Sequence, residues 1–296
     1  MGKKLATLSI LGAGITWGMI GIFVRRLTSF GFDSMEIAAL RSFVALFFMM
    51  IVLLIYNINL FRIRWRDIWC YIGTGILSLT FFNVCYFKSI QMTSLSVAAI
   101  LLYTAPSMVM LLSAVLFKEK VTMRKVFSIL LAFAGCIFVT GVLGSTKTIT
   151  GIGVITGLGS GFGYALYSVF SRYALDKKYH SLTITLYTFL FASIGIFPLI
   201  KISNVKEIMM DKPESVLVAI GLGTVSTVCP YILYTFGLSR IEASKASIIA
   251  SIEPVVATLI GVFAFHEMME IQGIFGVLLV IISIIIINVK LPNKEV

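Results

Sequence analysis

The chain of 296 residues has 59% hydrophobic and only 12% charged residues, with a mean hydropathy of +1.03. Water-soluble domains carry about 25% charged residues, so this composition excludes a soluble globular protein. The net charge of +11 does not indicate a nucleic-acid partner, because the basic residues are scattered over short connections.

Ten apolar segments follow one another along the chain, each close to the roughly twenty residues that a helix needs to cross a bilayer. We predict spans over residues 5–24, 35–56, 67–87, 94–117, 124–142, 151–171, 182–200, 215–237, 244–265 and 271–289. The alternation of apolar and polar residues typical of membrane barrels is missing. The predicted fold class is therefore an all-α integral membrane protein with ten transmembrane helices.

Basic residues predict the orientation of these spans. With the N-terminus inside, sixteen Lys and Arg residues fall in inside segments and seven in outside segments, while Arg41 lies within a span. The positive-inside rule therefore predicts that both termini are cytoplasmic.

The first and sixth spans are similar to each other, with Trp17 in one at the position of Tyr164 in the other. Both contain small residues four positions apart, such as Gly14 and Gly18 in the first span. Small faces allow close approach of helices, which suits either static packing or sliding in a moving carrier.

Arg41 lies about six residues below the outer end of the second span. Its long stem could reach the outer headgroups, or the guanidinium could face the bundle and bind an acid or a substrate carboxylate. Both interpretations stay open at this stage.

Polar-tipped aromatic and amide groups occur in several other spans. Near span ends, as at Tyr86 and Tyr234, such residues are typical of the aromatic belt at the membrane interface. Deeper groups could line a cavity for an apolar or aromatic ligand, although core packing explains any one of them equally well. The candidate substrate-binding residues are Trp17, Asn83, Tyr103, Tyr164 and Tyr231, together with Arg41 and Glu253.

Pro106 and Pro254 lie near the centres of the fourth and ninth spans. Proline has no N–H for the carbonyl four residues back, which frees the carbonyls of Leu102 and Ala250 and predicts a helix kink at each site. Free carbonyls at this depth are tolerated only where they face protein or a wet cavity. Matching kinks indicate either a binding site or two packing features.

Glu253 is an acid at the middle of the ninth span, where an ionised carboxylate is unfavourable unless it faces a cavity or a partner. The equivalent residue in the fourth span is Ala105, so packing of the repeat does not require the acid. We expect Glu253 to bind the amino group of a substrate or to take up a coupling proton. The alternative is a protonated acid that joins two helices.

Glu119 and Glu267 end the fourth and ninth spans, and we interpret them as acceptors for backbone donors of the hairpins that follow. His180 and His266 are isolated, and the four cysteines form no CxxC pair. The sequence therefore predicts no metal site and no cofactor.

One segment occurs twice, as Ser94–Glu119 and Glu242–Glu267, with identical spacing of a serine, a proline and the final glutamate. Five spans per half is an odd number, so the halves must cross the membrane in opposite directions. The connection after the first copy, KEKVTMRK, is basic, whereas its counterpart HEMMEIQ has no Lys or Arg. This pattern predicts two five-helix inverted-topology repeats over residues 1–145 and 146–296.

The doubled pattern resembles the EamA family of the drug/metabolite transporter superfamily. The residues that carry the resemblance are Trp17–Gly18, the Ala98–Ala99, Pro106, Glu119 series, and the Glu253–Pro254, Glu267 series. The resemblance spans the whole chain. It implies a carrier for a small metabolite, frequently an exporter of amino acids or related compounds, with a central cavity lined mainly by spans 1, 3, 4, 6, 8 and 9.

We therefore expect a secondary transporter of small organic metabolites that works by alternating access, as a monomer or homodimer among membrane lipids, with protons as one candidate coupling ion. Alternatives are an uptake carrier or facilitator for a vitamin, nucleoside or polyamine, and a non-transport membrane scaffold. An intramembrane enzyme is not expected, since the chain has no HExxH, no GxSxG and no histidine within a span. The family favours a bacterial inner membrane as the location.

Overall fold

The computed structural model describes residues 2–140, 150–268 and 270–289, and these residues form helices joined by short connections. Within these ranges, nine helical segments are long and apolar enough to cross a membrane. They are α1 (Gly2–Phe30), α2 (Ser34–Tyr56), α3 (Trp65–Met92), α4 (Leu95–Phe117), α6 (Gly151–Asp176), α7 (Ser181–Leu199), α8 (Glu214–Leu238), α9 (Ala243–Phe265) and α10 (Ile271–Asn288). Helix α5 (Met123–Val139) has 17 residues. The predicted end of the fifth span at residue 142 and the predicted boundary between residues 145 and 146 lie outside the described residues.

Polar residues at the membrane edges determine where helices begin. The Asp33 side chain accepts a hydrogen bond from the Glu36 backbone N–H at 2.8 Å, and the Glu36 carboxylate accepts one from Asp33 N–H at 2.9 Å. Thr122 and Thr150 cap α5 and α6 in the same way through their hydroxyl oxygens. These side chains satisfy backbone donors that have no partner within the helix.

Helices α4 and α9 are both broken near their centres. In α4, a helix over Leu95–Leu102 is followed by a second over Ala105–Phe117, and in α9 the two parts are Ala243–Ala250 and Glu253–Phe265. Proline is the second residue of each later part. Since proline lacks an N–H, it is tolerated at a helix start, where that donor would have no partner.

Several local features were not predicted from the sequence, among them an interruption of α1 at Met19. Helix α3 contains a π-helical stretch at Gly73–Thr80, and α8 contains one at Thr224–Val228. The connection predicted over residues 201–214 contains the amphipathic helix Ile202–Asp211. Short π-helical stretches within α-helices often occur at functional sites.

The helices pack in matching pairs around the centre of the molecule. Helix α1 packs against α8 and α9, while α6 packs against α3 and α4. Helix α5 lies against α10 and α2 against α7. The centre of this arrangement is the region between α1, α6 and the two broken helices.

Glycines permit the close approach of α1 and α6 to the two broken helices. A Cβ atom placed on Gly14 of α1 would lie 3.1 Å from the Ala250 carbonyl oxygen at the break of α9. On Gly161 of α6 it would lie 3.0 Å from the Leu101 carbonyl oxygen at the break of α4. The small residues of the first and sixth spans therefore hold the broken helices at van der Waals distance.

Candidate functional site

A cavity of about 500 Å³ lies between α1, α2, α3, α4, α6, α8 and α9. Its lining extends to Arg25 and Ser34, beside the connection between α1 and α2, and to Leu95 at the start of α4. We call this side of the molecule the open face. The side that contains the ends of α4 and α6 at Lys118 and Lys177 is the closed face. The cavity therefore reaches the surface at one end of the helices.

All seven predicted substrate-binding residues contribute to the lining of this cavity. They are Trp17, Arg41, Asn83, Tyr103, Tyr164, Tyr231 and Glu253. The fold thus brings together side chains from α1, α2, α3, α4, α6, α8 and α9 that are far apart in the sequence. A cavity of a few hundred Å³ with apolar walls and few polar groups is typical of a small-molecule site.

The prediction that Tyr86 and Tyr234 belong to an interfacial belt was wrong, because both line the cavity. Tyr234 is only 1% exposed, and its hydroxyl hydrogen-bonds with the Ser168 hydroxyl at 2.8 Å. Position near the end of a span could not separate a lipid-facing ring from an inward-facing one. The side of the helix on which the ring lies makes that distinction.

Arg41 is buried on the inner side of α2 and does not extend to lipid headgroups. Its Nε atom has no hydrogen-bond partner, and the guanidinium forms no salt bridge among the described residues. A buried cation without a counter-ion is costly, whereas one that faces a wet cavity can be solvated or can bind an anion. The interpretation in which Arg41 faces the bundle therefore agrees with its position.

Glu253 is the first residue of the later part of α9 and lines the same cavity. No hydrogen bond or ion pair of its carboxylate was found among the described residues, Arg41 included. A basic and an acidic side chain thus line one cavity with no ion pair between them among the described residues. The alternative in which Glu253 joins two helices requires a partner for the carboxylate, and the described part of the chain provides none.

Aromatic rings form the deep end of the cavity. The ring of Trp17 lies 5.4 Å from that of Tyr231 and 5.4 Å from that of Tyr234, and Tyr231 lies 4.9 Å from Tyr167. The Tyr167 hydroxyl hydrogen-bonds with Thr235 at 2.7 Å. These edge and tilted contacts give a rigid, largely apolar floor.

Beyond this floor, charged residues seal the closed face. The Glu119 carboxylate accepts hydrogen bonds from the Ala243 N–H at 2.8 Å and the Ser244 hydroxyl at 2.5 Å. The Lys125 ammonium lies 2.7 Å from Glu242 and 3.7 Å from Glu119. The prediction that Glu119 serves its own hairpin was wrong, because its partners belong to the start of α9. Nothing in the sequence near Glu119 indicates this distant partner.

Asn83 is buried, and its side-chain amide donates to the Leu79 carbonyl at 2.8 Å within α3. Part of its hydrogen-bonding capacity therefore serves its own helix. No group of three or more metal-ligating side chains is found in the described part of the chain.

The sequence and the fold are both similar to known proteins. A family model described as "EamA-like transporter family" matches residues 4–141 and 151–289. An uncharacterized transporter from Archaeoglobus fulgidus is 30% identical over 282 residues, which cover 94% of each chain. The uncharacterized transporter YxxF from Bacillus subtilis is 25% identical over 262 residues, covering 87% of this chain and 81% of the relative. A solved crystal structure with 17% identity superposes with a TM-score of 0.78 over 96% of both chains.

Proposed function

This chain belongs to the EamA-like transporter family, and we propose that it is a secondary carrier that exports an amino acid or a related small metabolite by alternating access. The observation that carries this proposal is the cavity of about 500 Å³ that is open at one face and closed at the other. A passage open at both ends would instead suit a channel.

The contents of the cavity favour a zwitterionic substrate with an apolar or aromatic side chain. Glu253 would bind the amino group, Arg41 would bind the carboxylate, and the Trp17 and Tyr231 rings would contact the side chain. Neither charged side chain has an ion-pair partner within residues 2–140, 150–268 and 270–289, so a ligand could bind them without breaking an existing pair. Glu253 could also accept a coupling proton from the open face.

The two halves, residues 1–145 and 146–296, are proposed to be inverted repeats of five helices, which gives ten transmembrane helices in all. Packing supports this proposal, because exchange of the halves turns the α1 contacts with α8 and α9 into the α6 contacts with α3 and α4. Carriers of this design move one set of helices against the other around a central site.

Orientation follows from the distribution of basic residues. If both termini are cytoplasmic, as the positive-inside rule predicts, the open face is outside the cell and this conformation faces outward. A multi-pass protein of the bacterial inner membrane would release its substrate from this conformation during export.

The test is counterflow in liposomes that contain the purified protein, with labelled amino acids that include aromatic and methionine-like ones. We expect accumulation of one class, and an imposed pH gradient then measures proton coupling. Absence of counterflow for every amino acid, with activity for nucleosides, vitamins or polyamines, would overturn the substrate assignment but not the carrier. Absence of all counterflow would overturn the carrier.

A further inference from the structure

We propose that Glu119 and Glu267 act as reciprocal latches, where a latch is a carboxylate that accepts hydrogen bonds from the first turn of the broken helix in the other half. Glu119 stabilises the closed face in the conformation described here, and Glu267 would close the open face in the alternate conformation. In that conformation, Glu267 would accept hydrogen bonds from the first turn of α4 at Leu95 and Ser96. This inference depends on the proposed alternating access and assigns the residues that stabilise each of its two states.

The Glu119 latch is visible in the structure. Its carboxylate side chain is 9% exposed and contacts the first turn of α9 at the Ala243 and Ser244 N–H groups, 2.8 and 3.3 Å away. The Glu242 side chain at the cap position makes no such contact. The first N–H groups of a helix have no partner within the helix and carry partial positive charge, so a carboxylate is a suitable acceptor.

Glu267 has the same backbone setting but a different side-chain direction. Lys118 and His266, which precede the two glutamates, are both left-handed with φ of 55°. The N–H groups of Glu119 and Glu267 donate to the carbonyls of Ser113 and Gly261 at 3.2 and 3.1 Å. The Glu267 carboxylate, however, lies back over Gly261 and pairs with Arg25 at 2.6 Å, with its side chain 48% exposed.

The first turn of α4 has what a second latch would need. Ser96 stands 148 positions before Ser244, and Glu119 stands the same distance before Glu267. At this turn, the Ser94 hydroxyl oxygen accepts a hydrogen bond from the Val97 N–H at 3.2 Å. The partly exposed Ser96 hydroxyl makes no hydrogen bond among the described residues. The acceptor and its donors thus exist at the open face but are separated.

The two latches are not equally strong. Lys125 reinforces the Glu119 latch, whereas the residue 148 positions later is Gly273. In this conformation Arg25 holds Glu267 away from α4, while its counterpart Arg172 donates to the Leu238 carbonyl at 3.3 Å on the closed face. We therefore expect the conformation described here to be the more populated one in the absence of substrate.

The experiment measures labelling by a membrane-impermeant maleimide in lipid nanodiscs, where water reaches both faces. On a background without native cysteines, Ser247→Cys reports on the closed face. Ser247 is 2% exposed and lies one turn along α9 from Ser244, whose hydroxyl contacts Glu119. Ile90→Cys reports on the open face, where it lines the cavity. Labelling rates are compared in the parent, Glu119→Gln, Glu267→Gln and Glu270→Gln. Glu270 is an exposed acid of the same connection as Glu267 and serves as the matched control.

We expect Glu119→Gln to raise the Ser247→Cys labelling rate about fivefold or more and to lower the Ile90→Cys rate. Glu267→Gln should lower the Ser247→Cys rate about threefold and leave the Ile90→Cys rate nearly unchanged, because the conformation with the open cavity is already the more populated one. Ser96→Ala should produce the Glu267→Gln effect in weaker form. If Glu267→Gln does not fold, Ser96→Ala provides the test in its place. Glu270→Gln should match the parent.

Two results would contradict the proposal, one for the latch alone and one for alternating access as well. If Ser247→Cys labels measurably in the parent but Glu267→Gln and Ser96→Ala match Glu270→Gln, the latch is wrong and alternating access survives. If Ser247→Cys stays unreactive in every variant, Glu119→Gln included, only one conformation exists and the proposed alternating access itself is wrong.

Discussion

The two broken helices have the same backbone plan but differ in charge. Each has an eight-residue first part, a break, and a thirteen-residue second part with proline at its second position. The second part begins with Ala105 in α4 and with Glu253 in α9. Because both helices break at the same place, the proline pattern accounts for the break without the acid. The Glu253 carboxylate therefore occurs in one half only, whereas the helix break occurs in both halves.

The same helices also differ in burial. Seven of the eight residues of Ala243–Ala250 are buried, against three in Leu95–Leu102. The first lies at the closed face, beneath Glu119, and the second beside the open cavity. Similar sequences thus occupy two environments, which is what two halves of a carrier caught in one conformation should show.

The largest expected effect tests the charge difference. Glu253→Gln preserves the shape of the side chain but removes the charge that would bind a substrate ammonium. Loss of one partner of a buried charge pair costs about 2–5 kcal/mol, or at least about thirtyfold in affinity. The loss of affinity is measured as the decrease in the counterflow rate at low substrate concentration.

Glu207→Gln, an exposed acid of the amphipathic helix, is the control for this prediction and should leave counterflow unchanged. If Glu253 accepts a coupling proton instead, the variant should lose the pH dependence of transport. An unaltered rate together with an unaltered pH dependence would contradict both roles of Glu253.

A second prediction sharpens the difference between the faces. Lys125→Gln leaves the Glu119 carboxylate, 9% exposed, without its cation. Removal of one partner of a buried ion pair costs about 3–5 kcal/mol, and the exposure of Glu242 places this case near the lower end. Thermal unfolding of the detergent-purified protein should show a clear decrease in Tm. Lys120 is exposed in the same connection, so Lys120→Gln should leave the Tm unchanged. Equal Tm values for the two variants would refute the importance of this network.

The smallest effect tests what the halves share. Gly14→Ala and Gly161→Ala each place a methyl group against side-chain and backbone atoms at the break of α9 or α4, and overpacking of this kind costs about 1–3 kcal/mol. Gly21→Ala is the control, since a Cβ there meets no atom within 4 Å. Unfolding measurements should show similar losses for the first two variants and none for the third. A loss in only one half would mean that the two breaks are packed differently.

Much of the helical plan could be predicted from the sequence, because the length of an apolar segment and the position of a proline are local properties. Each of the nine long helices overlaps a predicted span, although α1 continues to Phe30, past the predicted end at residue 24, and the break sites follow from Pro106 and Pro254. The amphipathic helix Ile202–Asp211 was missed, since its polar composition is also that of an ordinary connection.

The sequence by itself determined that this is a multi-span helical membrane protein of two similar halves. The lengths of the apolar segments and the repeated residue spacing are properties of the sequence that do not depend on tertiary contacts. Only the tertiary structure decided which side of each helix faces inward. It placed Tyr234 and Arg41 at the cavity and joined Glu119 to the start of α9 across the two halves. These contacts join helices that are far apart in the chain, and no local pattern of residues specifies which distant residue a side chain will contact.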